Sequence, residues 1–238
     1  MKFSAFVWSG FTIICIAFSG PAQVASWRVG NAGAMRAMFE SGDISGKTKI
    51  AELPQKHLFA VGPLAELGGE ITILDGKVFV SRVDAGRVVV ESNPAPSAVF
   101  FVWANVRHWR KTVVPAGVRT YDELEAYVEK AAKDGGIDTS QPFPFRLRGV
   151  FGKVEWHVND YKPDGSKLTR AKHDAAKFKS TSENARLEMV GFYSRNHKGV
   201  FTHHTRLSHV HVTDRKRSFV AHVDDLVAGN RLTLYLPG

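Results

Sequence analysis

The stretch from Leu207 to Asp225, LSHVHVTDRKRSFVAHVDD, constrains the fold more than any other part of the chain. Apolar and polar residues alternate on both sides of a charged break, Asp214-Arg215-Lys216-Arg217-Ser218, the pattern of two strands joined by a hairpin turn. With Lys216 and Arg217 central to the turn, His211 falls opposite His222 and His209 falls opposite Asp224. Residues two apart on a strand project to one face, so His209 and His211 point the same way. Facing residues sit about 5 Å apart at their Cβ atoms, close enough for three imidazoles to converge on one ion. Three histidines with an open fourth position are the ligand set of catalytic rather than structural zinc. A Zn2+ ion held by His209, His211 and His222 is therefore the expected cofactor.

The rest of the chain supplies sheets to carry such a hairpin. Asn31 to Glu40 has the composition of a short helix stopped by Ser41-Gly42-Asp43. Glu70 to Leu74 and Lys77 to Val80 read as strands joined by a two-residue Asp75-Gly76 turn, and a further turn at Asp84-Ala85-Gly86 leads into Arg87 to Glu91. Ser97 to Trp103, SAVFFVW, is apolar throughout, as a strand covered on both faces would be. Thr120 and Glu123 form a capping box that opens a helix ended by Gly135-Gly136. Beyond Gln141-Pro142-Phe143-Pro144, the segments 145–158, 186–194 and 231–236 all have strand character. The expected class is α+β: an N-terminal mixed β-sheet with helices over residues 27–142, then an antiparallel β-barrel carrying the metal site over 143–238. Residues 159–184 interrupt the second part with six Lys or Arg, four acids and a Pro-Asp-Gly turn, and are expected to form an exposed basic loop excursion.

Composition bears on location and partners. Lys2, the apolar run Phe6 to Phe18 and the small residues Gly20, Ala22, Ala25 and Ser26 have the layout of a secretory signal peptide over residues 1–26. This predicts a secreted or periplasmic protein with no membrane span after cleavage. Cys15 is the single cysteine and lies within that leader, so disulfides are not expected to contribute to stability. The formal charge of +9 invites a nucleic-acid partner, but the lysines are dispersed and no nucleic-acid-binding motif is present, so none is expected. Of ten histidines, His57, His108, His157, His173 and His197 read as ordinary surface or satisfied core residues. His203 and His204 are adjacent, so on a strand at most one of them could join the cluster. Among many acids and cations, Glu70 follows Gly68-Gly69 at a strand start, and Arg146 sits among Phe143, Phe145 and Leu147, where an unpaired charge would be costly.

Four blocks in one order resemble the α-acetolactate decarboxylase family: HLFAVGPLAELGGEITILDG, SAVFFVW, FPFRLRG, and MVGFYS followed by SHVHVTDRKRSFVAHVDDL. The resemblance spans roughly residues 30–236. It implies that His209, His211 and His222 bind zinc, that Glu70 is a catalytic proton donor or relay, and that Arg146 is a catalytic residue orienting a carboxylate or oxyanion. It further implies a small-molecule 2-hydroxy-3-keto acid substrate, 2-acetolactate, converted to acetoin and carbon dioxide; a homodimer is the candidate assembly. Pro63 stands where the family has a hydroxyl residue, and Val220-Ala221 where it has Gly-Gly. No residue matches the family's second glutamate near the C-terminus, and neither Glu91, Glu155 nor Glu188 is singled out for its place. These departures keep two alternatives in view: a diverged zinc enzyme acting on another 2-hydroxy-3-keto or β-keto acid, and a non-catalytic exported metal- or ligand-binding protein.

Overall fold

A computed structural model describes residues 27–92 and 94–238, together with Met1. The leader expected over residues 1–26 thus lies almost wholly outside the described residues. Among the described residues no helix is long and apolar enough to cross a membrane.

The first layer begins with β1 (Val29–Ala32) and α1 (Met35–Ser41), which ends on Gly42 in the left-handed conformation. The helix expected over residues 31–40 is therefore shorter, because its first residues pair as a strand. After β2 (Thr48–Lys49) come β3 (Leu58–Pro63), β4 (Glu70–Leu74), β5 (Lys77–Asp84) and β6 (Arg87–Ser92), then β7 (Ser97–Ala98) and β8 (Phe101–Asn105). The main sheet runs in the order β1-β8-β3-β4-β5-β6. It was expected to be mixed, yet every pairing in it is antiparallel. The turns between β4 and β5 and between β5 and β6 are too short for the crossover that a parallel neighbour needs. The apolar run 97–103 splits into two short strands, and β8 lies between β1 and β3 with Phe101 and Val102 buried.

The second layer contains β9 (Trp109–Val113), α2 (Tyr121–Asp134), β10 (Phe143–Asn159), α3 (Arg170–Ala175), β11 (Lys177–Tyr193), β12 (Ser208–Asp214), β13 (Val220–Val227) and β14 (Thr233–Pro237). Pairing runs from β10 to β11, on to β12 and β13, and back to β10, so these four strands close a ring. The first half of β10 also pairs with β14, which pairs with β9. Both β9 and α2 precede Pro142 in sequence but belong to this layer. Tyr121, Leu124, Val128 and Ala132 of α2 join the core inside the ring, and Thr120 and Glu123 make both bonds of the capping box.

The two layers meet where β4 faces β12 and β13. Alternation along β4 places Ile71 and Ile73 in the core of the first sheet and turns Glu70 and Thr72 toward the second layer. Gly69 sets this up. A Cβ there would lie 2.2 Å from the Ser81 carbonyl oxygen, so only glycine lets the chain enter β4 so close to β5.

Residues 162–167 and 169–171 are exposed, as expected of this stretch, but the segment is docked rather than free. Residues 177–184 extend β11 along β10, and Asp160 N donates to Ala176 O at 3.0 Å to close the base of the remaining loop. Tyr161 and Leu168 are buried in one core with Met38, Leu67 and Phe100, and Tyr161 N donates to Leu67 O at 3.1 Å. Two apolar anchors thus dock a loop whose charged residues mostly stay in solvent.

Candidate metal centre

The hairpin has the expected register: His211 pairs with His222, Val212 with Ala221 and Thr213 with Val220. The turn itself is centred one residue earlier than expected, with Arg217 N donating to Asp214 O and Arg217 left-handed. The expected pairing of His209 with Asp224 does not form. β13 slips against β10 between Val223 and Asp225, and the bulge turns Asp224 toward His157, whose Nδ1 lies 2.7 Å from Asp224 Oδ1.

One ligand nitrogen from each of His209, His211 and His222 lies within 4.8 Å of the others. His209 and His211 are buried, and His222 keeps a partly exposed edge. Burial pushes the His209 pKa down to about 3 and those of His211 and His222 well below their ordinary value, with neighbouring histidine charges adding to the effect. All three rings are therefore neutral, as metal ligands must be. His211 Nδ1 is 2.9 Å from Thr72 Oγ1, which fixes the ring and turns Nε2 away from the hydroxyl. His211 Nε2 and His209 Nδ1 are buried with no hydrogen-bond partner. Two orphaned imidazole nitrogens beside a third ring are costly in an apolar interior unless an ion takes their lone pairs. The donor set fits zinc.

Glu70 adjoins this cluster. Its Oε2 is 3.5 Å from His211 Nε2, and its Oε1 accepts from Asn159 Nδ2 at 2.6 Å. Burial raises its pKa to about 8, against the opposing pull of Asn159 and the nearby Lys177 charge. Glu70, His209 and His222 open onto a cavity of about 400 Å³. Its apolar side is formed by Met35, Met38, Phe39, Leu67 and Phe100, and its polar side by His157, His173, Lys177 and Arg206, among others. Pro63 also lines it.

Arg146 is not among the residues that line the cavity. It sits on the β10 face that leads through Val190 to His211, but its Nη2 donates to Glu188 Oε1 at 2.6 Å. The guanidinium is enclosed by the rings of Phe59, Trp109 and Tyr235. Arg148 and Arg217 bond the same Glu188 carboxylate. Glu188 thereby lies in this cluster, not beside the histidines.

Six contributors were not legible as such. His157, read as ordinary, is cross-strand from His222 with ring centroids 4.9 Å apart. Asn159, His173 and Lys177 come from the segment expected to be solvated. His203 and His204 both line the cavity, since they lie in a turn and not on a strand. A histidine facing His222 from β10 is a long-range pairing with no local signal.

Comparisons with known proteins bear on the family and the fold. The family model for alpha-acetolactate decarboxylase matches residues 32–236. The alpha-acetolactate decarboxylase of Bacillus subtilis strain 168 superposes with a TM-score of 0.71 at 18% identity, over 89% of this chain and 86% of that one. A Staphylococcus aureus protein of unknown function, described as similar to alpha-acetolactate decarboxylase, does so with a TM-score of 0.71 at 15% identity, over 87% and 84%. The acetolactate decarboxylase of Bacillus subtilis subspecies spizizenii gives 0.71 at 19% identity, over 88% and 85%. No curated protein sequence matches the chain. A family match across nearly all of the described chain, on a shared fold, means that this protein belongs to the alpha-acetolactate decarboxylase family.

Proposed function

We propose that the protein is a zinc-dependent decarboxylase that converts 2-acetolactate, or a closely related 2-hydroxy-3-keto acid, to the hydroxyketone and carbon dioxide. The observation that carries this reading is the meeting of three neutral imidazoles, two of them buried with unpartnered nitrogens, and a buried carboxyl at the wall of one cavity. His209, His211 and His222 would hold the ion, and a Zn2+ there supplies Lewis acidity to substrate oxygens.

The protein's own groups supply the rest. Breaking the bond to the carboxylate releases carbon dioxide and leaves its electron pair on the hydroxyl-bearing carbon, conjugated with the adjacent ketone. A proton placed on that carbon completes the hydroxyketone, and Glu70 is positioned to deliver it because one of its oxygens is tied to Asn159 and the other is turned to the cluster. Lys177 is the cation suited to the substrate carboxylate. Its side chain is 15% exposed, it lines the cavity, and its charge acts on both Glu70 and His222. Arg146, held by Glu188 and three aromatic rings, is assigned to the packing of β10 instead.

The test is acetoin formation from 2-acetolactate by the purified protein, with bound metal measured before and after chelation. About one zinc per chain, acetoin release abolished by chelator, and loss of both in His211→Ala support the reading. Stoichiometric zinc without acetoin moves the assignment to another 2-hydroxy-3-keto or β-keto acid, the reading that the commitment of Arg146 to Glu188 favours. Several loosely held ions and no turnover would mean a binding protein.

A further inference from the structure

The segment between β10 and β11 covers one side of the cavity, and Asn159, the β10 residue from which it departs, bonds Glu70. We infer that His173 and Asn159 are positioning residues that form a hydrogen-bonded chain fixing the orientation of Glu70. The inference rests on reading the three-histidine cavity as a metal-dependent decarboxylase site.

The chain runs in one direction. Asn159 Nδ2 donates to Glu70 Oε1 at 2.6 Å, so the amide carbonyl Oδ1 faces away from Glu70 and toward His173. His173 Nε2 lies 2.9 Å from that oxygen. An amide oxygen can only accept, so His173 must carry its proton on Nε2 and donate. The Nε2–H of His173 therefore orients the Asn159 amide, and the oriented amide holds Glu70. Only Oε2 of Glu70 is left to face His211 Nε2, 3.5 Å away.

Each link is itself held. Asn159 is the last residue of β10, 5% exposed, in a pairing with Lys177. The His173 ring stands edge-on to Phe39 of α1 at 5.7 Å between centroids. Its helix, α3, is capped by Thr169 and closed against the strand by the Asp160–Ala176 bond. The covering segment is thus joined to the first layer through Phe39 and Leu67 and to the reacting carboxyl through Asn159. A glutamate side chain has several rotatable bonds, and a fixed donor on one oxygen removes most of that freedom before substrate arrives.

Two measurements decide this, one of which does not depend on activity. In the metal-free full chain, long-range proton–nitrogen correlation spectra of the imidazoles should show His173 protonated at Nε2 in the wild type and a mixture of tautomers in Asn159→Leu. A wild-type His173 protonated at Nδ1 overturns the inference. In the zinc-loaded protein, Asn159→Leu and His173→Phe should each lower kcat for 2-acetolactate by roughly 10- to 100-fold, the range for loss of a supporting hydrogen bond at a metal site, with KM within about twofold. His173→Gln, which keeps an N–H donor, should recover most of that loss. Unchanged kcat in His173→Phe, or a glutamine variant no better than phenylalanine, overturns it. Zinc affinity in Asn159→Leu should fall about tenfold. Wild-type protein that binds zinc but makes no acetoin sinks the functional reading alone, and the tautomer and zinc affinity then decide the chain: an unaltered affinity and tautomer in Asn159→Leu overturn it.

Discussion

Lys177 carries the sharpest claim about a single residue. An amine largely withdrawn from solvent, with Asp174 as its ion-pair partner at 2.7 Å and a cavity on its other side, is a cation poised to take a second anion. Lys177→Met should raise KM for 2-acetolactate about 10- to 100-fold, the worth of one charge-assisted hydrogen bond, with a smaller effect on kcat. Lys177→Arg should retain most of the affinity. Steady-state kinetics on the three proteins checks this; an unchanged KM in the methionine variant removes Lys177 from substrate binding. The histidines were readable from their spacing because the period of a strand and the length of one turn fix who faces whom. Lys177 was not, because its relation to Glu70 depends on a loop closing over a cavity built by other elements. The bonding of Arg146 to Glu188 was not legible for a related reason. Its aromatic neighbours were plain in sequence, but its partner Glu188 lies on the adjacent strand β11.

At the scale of elements, the hairpin and β4 form a unit whose tolerances are narrow. Gly69 admits β4 only because it has no side chain to meet the Ser81 carbonyl oxygen at 2.2 Å. Ser81 Oγ in turn accepts from Val220 N at 2.8 Å, which ties β5 to the start of β13. Gly69→Ala must push β4 and β5 apart, and we expect it to cost about 2 kcal/mol or more in stability and to weaken zinc binding with it. Denaturant titration and metal binding on one preparation test the link, and a stable variant with wild-type zinc affinity would refute it. The Gly68-Gly69 pair was visible in sequence as an uncrowded approach to Glu70; the steric reason was not, since Ser81 lies across a turn. The covering segment was legible only in part. Its lysines and Pro-Asp-Gly turn are exposed, as they read, while the residues that dock it, Tyr161 and Leu168, are too few to register as a core pattern.

For the molecule as a whole, two layers must stay in register for Glu70 and the histidines to meet. The strands of the second layer are tied together by the cluster of Arg146, Arg148 and Arg217 on Glu188, and Arg146 also lies over the Phe59 ring of the first layer. Burial alone would raise the Glu188 pKa, but hydrogen bonds from the three arginines outweigh it and hold the value to about 2. A carboxyl with a depressed folded pKa stabilises the fold above its unfolded value and loses that contribution as pH falls toward the folded one. Stability from this group is therefore full above about pH 4.5 and lost by about pH 2, an amount on the order of 2 kcal/mol. Glu188→Gln should lower stability at neutral pH by that amount and flatten the acid limb of the stability profile. An identical acid limb in both proteins would show that the cluster does not act this way. The α+β class was readable from strand and helix periodicity, whereas the placement of β9 and α2 in the second layer was not, because it depends on the pairing of β9 with β14, far along the chain. Whether His209, His211 and His222 hold one zinc ion is read from X-ray absorption at the zinc edge of the stoichiometrically loaded protein. Three imidazole nitrogens are expected at about 2.0–2.1 Å, with the remaining scatter from light oxygen donors. A spectrum with fewer than three imidazoles, or one unchanged in His211→Ala, would contradict a zinc ion held by these three histidines.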